Sequence, residues 1–176
     1  MAAKGEHRGV GMSGTAIRIL VISDTHFRRP GERLPREVEE AAATADLIVH
    51  CGDLEALSAY EYLGQLGQLV AVRGNMDESA LEEFLPETVT FEAAGRKIGA
   101  VHGRGAPRGL AERAAGMFSG VEAVLFGHSH RPYREIKDGV LLFKPGSLTD
   151  RVCAPYTAYG IVEVAAQGIQ ARIVRV

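Results

Sequence analysis

Five segments of this chain that read as strands each lead into a polar residue able to hold a metal ion, and that pattern constrains its fold more than any other feature. Ile17-Arg18-Ile19-Leu20-Val21-Ile22 leads into Ser23-Asp24, and Leu47-Ile48-Val49 into His50-Cys51-Gly52-Asp53. Leu69-Val70-Ala71-Val72 runs into Arg73-Gly74-Asn75, the segment 97–101 into His102-Gly103, and Ala123-Val124-Leu125-Phe126 into Gly127-His128. Short apolar runs bounded by such residues read as buried strands. Ligands of open α/β sheets bind beyond the carboxyl ends of their strands. Five polar ends of this kind predict one shared site.

Helical segments separate these strands. Pro35 opens a charged helix to about Ala45, proline being suited to the first helical position. Further helices are expected from Leu54 to Leu63, from Glu78 to Phe84 and from about Pro107 to Met117. Thr88 to Ala93 and Lys97 to Val101 read as a hairpin, and Arg131 to Val176 as strand-rich with turns at Gly139 and Gly168. Early βαβα followed by late hairpins predicts mixed sheets flanked by helices. No repeat or linker divides the chain, so residues 16–176 are expected to form a single domain. Residues 1–15 lack a hydrophobic period and are expected to be a disordered extension, and Met12 offers a second start.

Bulk properties exclude several classes. A chain of 176 residues can bury a core without disulfides. Cys51 and Cys153 are too few for a disulfide framework and fit a reducing compartment. A net charge of −2 and a pI near 6.3 argue against a general nucleic-acid or acidic-membrane binder. No apolar run approaches the ~20 residues that span a bilayer, and the first residues, MAAKGEHRGVGMSGT, lack the apolar centre of a secretory signal. A cytoplasmic location is expected, and a homo-oligomer is left open.

Asp24-Thr25-His26, Gly52-Asp53, Gly74-Asn75, His102-Gly103 and Gly127-His128-Ser129-His130 together offer two carboxylates, one amide oxygen and four imidazoles. Such a set, without thiolate, suits Mn²⁺, Fe²⁺, Zn²⁺ or Co²⁺. Seven ligands exceed what one ion takes, whereas two ions sharing a carboxylate would use them all. Two dications against two carboxylates leave a charge of about +2, or about +1 with a bridging hydroxide, suited to phosphate anions. Metal-bound water, with a pKa near ~7, would supply a nucleophile without a general base. Singly these motifs are ordinary: Gly52-Asp53 and Gly74-Asn75 are common turn pairs, and Asp24-Thr25-His26 could be a helix cap beside a surface histidine. Their order and shared placement at strand ends favour a site.

In this order the motifs resemble the calcineurin-like metallophosphoesterase superfamily, from about Ile17 to Val164. The short length, Arg73-Gly74-Asn75 and Pro145-Gly146-Ser147 are similar to its small prokaryotic phosphodiesterase branch. That resemblance implies an α/β fold, a four-layer αββα sandwich of two mixed β-sheets flanked by helices, with metals at one sheet edge. It implies Asp24, His26, Asp53 and His130 around one metal and Asp53, Asn75, His102 and His128 around the other, with Asp53 bridging. Asp53, Asn75 and His102 are also the expected catalytic residues. The implied cofactors are two divalent ions, manganese foremost, with iron, zinc, nickel or cobalt as alternatives. The implied reaction is hydrolysis of small phosphodiesters or activated phosphomonoesters by a metal-bound hydroxide.

Two positions depart from the family pattern. Met76 stands where many members carry a leaving-group histidine, and Lys144 stands where the small branch often has asparagine before Pro-Gly-Ser. Arg104 is placed to reach a phosphate or simply to be solvated, Arg73 to brace its loop, and His50 and Cys51 to pack in the core. Two other functions are compatible with the resemblance. One is a protein-binding scaffold like the related retromer subunit, against which the seven intact ligand positions weigh. The other is a nuclease, for which the chain lacks both a capping domain and bulk positive charge.

Overall fold

Apolar side chains of the central strands alternate between two sides, and that alternation builds the layers. A computed structural model describes residues 5–6 and 16–176. Its elements begin with β1 (Gly5–Glu6), β2 (Ile17–Ile22), α1 (Arg36–Ala43), β3 (Leu47–His50), α2 (Leu57–Leu66) and β4 (Leu69–Ala71). They continue with α3 (Ser79–Glu82), β5 (Thr88–Ala93), β6 (Arg96–Val101), α4 (Leu110–Ala115) and β7 (Ala123–Phe126). The chain closes with β8 (Tyr133–Lys137), β9 (Val140–Lys144), β10 (Ala158–Ala165) and β11 (Gly168–Arg175).

Five strands form one sheet in the order β11-β10-β2-β3-β4, and six form the other in the order β1-β5-β6-β7-β9-β8. Ile19 and Val21 of β2, Leu47 and Val49 of β3, Ile98 and Ala100 of β6, and Leu125 of β7 meet between the sheets. Leu20, Ile22 and Ile48 face the other way, against Val38 of α1 and Leu63 of α2. Val124 and Phe126 pack outward on Leu110 and Ala114 of α4. The result is the expected αββα sandwich. Each of these strands is buried on both faces, which is why it reads as a continuous apolar run. Burying one such Leu or Ile side chain contributes roughly 1.5–3 kcal/mol, so a charged residue at Val21 or Leu125 would open the middle layer.

Within the first sheet β2, β3 and β4 are parallel, and within the second β6 and β7 are parallel. All five expected strand ends therefore belong to parallel strands. The helix expected from Leu54 begins instead at Leu57, because Glu55 has a left-handed φ of 75° and its N–H donates to Asp77 Oδ1 at 2.8 Å. The helix expected from Pro107 begins at Leu110, after Gly109 with φ 74°. Of the extension expected at residues 1–15, only Gly5–Glu6 is described, as a short strand parallel to β5. The rest lies outside the described residues. No helix among the described residues is long and apolar enough to cross a membrane.

Candidate metal centre

Loops leaving the parallel strands are laced together before any side chain is considered. Asp24 N donates to Gly52 O at 3.1 Å, His26 N to Asp53 O at 3.1 Å, and Gly127 N to His102 O at 3.0 Å. The last bond stays within the second sheet. Asp24, fully buried, joins the two sheets by accepting from His128 N at 3.2 Å, and its own neighbour Ser23 Oγ donates to it at 2.6 Å. This close approach needs glycine twice. A Cβ on Gly127 would stand 1.9 Å from Ser23 Oγ, and one on Gly74 would stand 2.0 Å from Asp53 Oδ1.

Backbone strain is concentrated at the same place. Asp24, His26, Asp53, Glu55, His128 and His130 all have left-handed φ between 50° and 77°. Each such non-glycine residue costs on the order of 1–3 kcal/mol and persists where its surroundings over-determine it. Only two other described non-glycine residues, Ala94 and Asp138, share this conformation, and both sit in hairpin turns.

The seven expected residues come together in two overlapping groups. In the first, His26 Nε2 stands 3.2 Å from His130 Nε2, and His130 Nε2 stands 3.4 Å from Asp24 Oδ1. Asp53 Oδ2 is 3.9 Å from His26 Nε2, and ligand atoms of Asp24, His26, Asp53 and His130 all lie within 4.8 Å of one another. In the second, Asn75 Oδ1 is 3.2 Å from His102 Nε2 and 3.0 Å from His128 Nδ1, and Asp53 Oδ2 is 3.3 Å from His102 Nε2. Asp53 Oδ2 borders both groups.

Partners on the far side of each ring orient the histidines. His26 Nδ1–H donates to Glu55 Oε1 at 2.6 Å and His130 Nδ1–H to Asp150 Oδ2 at 2.5 Å. His102 Nδ1–H donates to Cys51 O at 2.7 Å and His128 Nε2–H to Gly105 O at 3.0 Å. Those bonds place a proton on the outward nitrogen of each ring, so each ring, when neutral, turns a lone pair inward. Acceptors then face acceptors, and either a proton on the inward nitrogen or a metal cation relieves the repulsion. Ligands held ~2.0–2.2 Å from one cation lie about 3.3–3.6 Å from one another in a tetrahedron, close to the spacings found here. The residues fit divalent metal ions.

Charge follows the same logic. Hydrogen bonding to Asp24, against the effect of burial and with help from Asp150, raises the His130 imidazole to about 9. Burial would raise the Asp53 carboxyl, but its bond to His102 prevails and holds it at about 2. Both shifts describe a site that attracts positive charge.

Other expectations resolve individually. His50 is a core residue, its ring accepting from Gly52 N at 3.2 Å and meeting Thr25 Oγ1 at 3.0 Å, and burial drives its pKa down to about 3. Cys51 is buried. Arg73 braces its loop through Nη1 to Glu82 O at 3.5 Å. Lys144 turns inward, bonds Ser129 Oγ and lies over the Phe126 ring, and burial lowers its pKa to about 8. Ser147 Oγ donates to Asp24 O at 2.7 Å, so Pro145-Gly146-Ser147 supports the first motif. Met76 is 48% exposed. Asp77, the carboxylate beside it, accepts from Glu55 N and Gly74 N on its two oxygens and serves as a latch between loops.

Glu55 and Asp150 were not legible as site residues. Arg28 holds Glu55 through Nε at 2.5 Å, and Val152 N and Cys153 N hold Asp150 Oδ1 at 2.7 and 2.9 Å. Glu55 lies two residues past Asp53 and Asp150 three past Ser147. Those proximities were the only signal.

The comparisons agree with this geometry. Residues 17–167 match the family model described as the calcineurin-like phosphoesterase superfamily domain. A probable metallophosphoesterase of Methanocaldococcus jannaschii is 38% identical over 143 residues, covering 80% of this chain and 72% of that protein. A phosphodiesterase of the same organism is 26% identical over 144 residues, covering 74% and 83%. Vacuolar protein sorting 29 from Cryptosporidium parvum shares the fold, with a TM-score of 0.72 at 18% identity over 92% of this chain and 98% of that one. With residues 17–167 matched, and a cluster able to hold a metal ion at the strand ends, this chain belongs to the calcineurin-like phosphoesterase superfamily.

Proposed function

We propose that the protein hydrolyses phosphodiesters or activated phosphomonoesters at a centre of two divalent cations held by Asp24, His26, Asp53, Asn75, His102, His128 and His130. The observation that carries this reading is the position of Asp53 Oδ2, which borders both groups of ligand atoms. Two bound cations would supply an activated water and offset the charge of the phosphoryl oxygens. The chain's own part is placement. Strained, glycine-laced loops hold the ligands before any substrate arrives, so little reorganisation is left for the reaction. Asn75 contributes a neutral oxygen, which leaves the centre more positive than a third carboxylate would. The name of the 26% identical phosphodiesterase supports diesters as substrates. The mixed oxygen and nitrogen donors suit manganese, and iron, zinc, nickel and cobalt are alternatives.

A scaffold role draws on the likeness to vacuolar protein sorting 29, which at 18% identity concerns the fold alone. The test is metal analysis joined to turnover of bis(p-nitrophenyl) phosphate. Two equivalents of Mn²⁺ per chain, with activity lost on chelation and restored by Mn²⁺, are expected. Asp53→Ala should lower occupancy at both positions and abolish turnover, whereas Asn75→Ala should empty mainly one. Full activity in thoroughly chelated protein would refute the two-cation reading. Metal binding without turnover of any phosphoester would favour the scaffold.

A further inference from the structure

A cavity of about 300 Å³ opens directly off the second ligand group. Asn75 and His102 form part of its wall, so it adjoins the place where the substrate's phosphoryl group would sit under the proposed function. Arg73 and Arg104 stand on its sides, Glu87 on its rim, and Val101 and Met117 supply apolar surface.

Both arginines have donors to spare. The Arg73 side chain makes one long bond, 3.5 Å to Glu82 O, among the described residues. Arg104 is 80% exposed in its side chain and meets Glu87 only at 3.9 Å, beyond hydrogen-bond reach. Exposed pairs of that kind hold a side chain weakly. An arginine fork carries five N–H donors and fits carboxylate or phosphate oxygens bidentately.

The wall that carries Arg104 is nevertheless fixed. Arg113 donates through Nε to Arg104 O at 3.1 Å, through Nη1 to Arg108 O at 3.0 Å, and through Nη2 to Ala106 O. Gly105 O of the same loop accepts from His128, one of the proposed ligands. All three guanidinium nitrogens of Arg113 thus serve this staple, while the Arg104 head group stays at the cavity mouth. The volume lies at the lower end of the range for small-ligand sites, roughly 300–1,000 Å³. It has room for one ring or short carbon chain.

We propose that this cavity is a substituent pocket that selects phosphoesters whose organic group bears a second oxyanion, clasped by Arg73 and Arg104. The proposal rests on the phosphoesterase reading and names its substrate class. Non-hydrolysable probes keep the two separable. Binding of 3-carboxyphenylphosphonate, its neutral isostere 3-carbamoylphenylphosphonate and phenyl-1,3-diphosphonate to Mn²⁺-loaded protein would be measured by calorimetry. The carboxylate should bind roughly tenfold more tightly than the carbamoyl probe, as expected for charge-assisted bonds. The diphosphonate arm shows whether phosphate oxygens are preferred to a carboxylate. The carboxylate advantage should fall towards one in Arg104→Gln and in Arg73→Gln/Arg104→Gln, and rise in Glu87→Gln, which removes the rim's opposing charge. Equal binding of the charged and neutral probes in the unaltered protein would overturn the proposal, as would an advantage that survives the double substitution. Tight, selective probe binding by a protein that hydrolyses nothing would refute the phosphoesterase reading and leave the pocket standing.

Discussion

His26 Nε2 and His130 Nε2 face each other across 3.2 Å, and the opposite nitrogen of each ring is held by a carboxylate, Glu55 for one and Asp150 for the other. The histidines of the second group are held by neutral carbonyls instead. A carboxylate makes an imidazole a better donor to a metal and fixes its tautomer, and losing such a partner typically costs 10–100-fold in affinity. Glu55→Gln and Asp150→Asn should each weaken one of two Mn²⁺ binding events by about that factor in a calorimetric titration. Equal weakening of both events would refute the division into two positions.

The left-handed backbone and the glycine contacts should make Gly74 as indispensable as a ligand. A Cβ there would meet Asp53 Oδ1 at 2.0 Å and Asp53 N at 2.2 Å, and overpacking of this kind costs roughly 1–3 kcal/mol. Gly74→Ala should melt several degrees lower and retain less than one equivalent of metal. Gly95→Ala, in open space at a turn with φ 76°, should instead show a stability cost without loss of metal.

Chelated protein should lose stability as the pH rises. His130 has its folded pKa raised from 6.5 to about 9, chiefly by its bond to Asp24. In that interval the folded state holds a proton that the unfolded state has released, so stability falls with pH. This contribution is complete below pH ~6.5 and gone above about 9. Lys144, lowered by burial to about 8, acts in the opposite sense above that value, so the decline should be clearest from pH 6.5 to 8. Thermal melts across this window should slope downward in chelated protein, and the slope should shrink in His130→Gln. A flat profile in both would contradict the ion pairing.

With Met76 in place of a proton donor, the reaction should depend steeply on its leaving group. Asp77, the nearest carboxylate in sequence, is tied to the loops by backbone N–H groups on both of its oxygens. A general acid normally contributes roughly 10²–10⁴-fold. Rates across an aryl diester series should therefore fall steeply as leaving-group pKa rises. Met76→His should flatten that slope if its ring reaches the leaving oxygen. A shallow slope in the unaltered protein, with chemistry rate-limiting, would show that another residue already serves as the acid.

The strands, their two-faced burial and the convergence of seven polar residues were legible in the sequence, because strand periodicity and strand-end placement are local properties. β2, β3, β6 and β7 announced themselves as strands, and each leads within a few residues into a proposed ligand. The start of α2 was misjudged for a physical reason: the helical pattern from Leu54 is overridden where Glu55 takes a left-handed φ to reach His26. The roles of Glu55, Asp150, Asp77 and Lys144 depend on contacts across 22 to 29 residues for the first and third, 20 for the second and 15 for the last. No spacing rule encodes such pairs. Local pattern therefore determined which side chains arrive at the sheet edge. Only the packing of loops from two sheets decided which nitrogen of each histidine faces inward, and with what charge behind it.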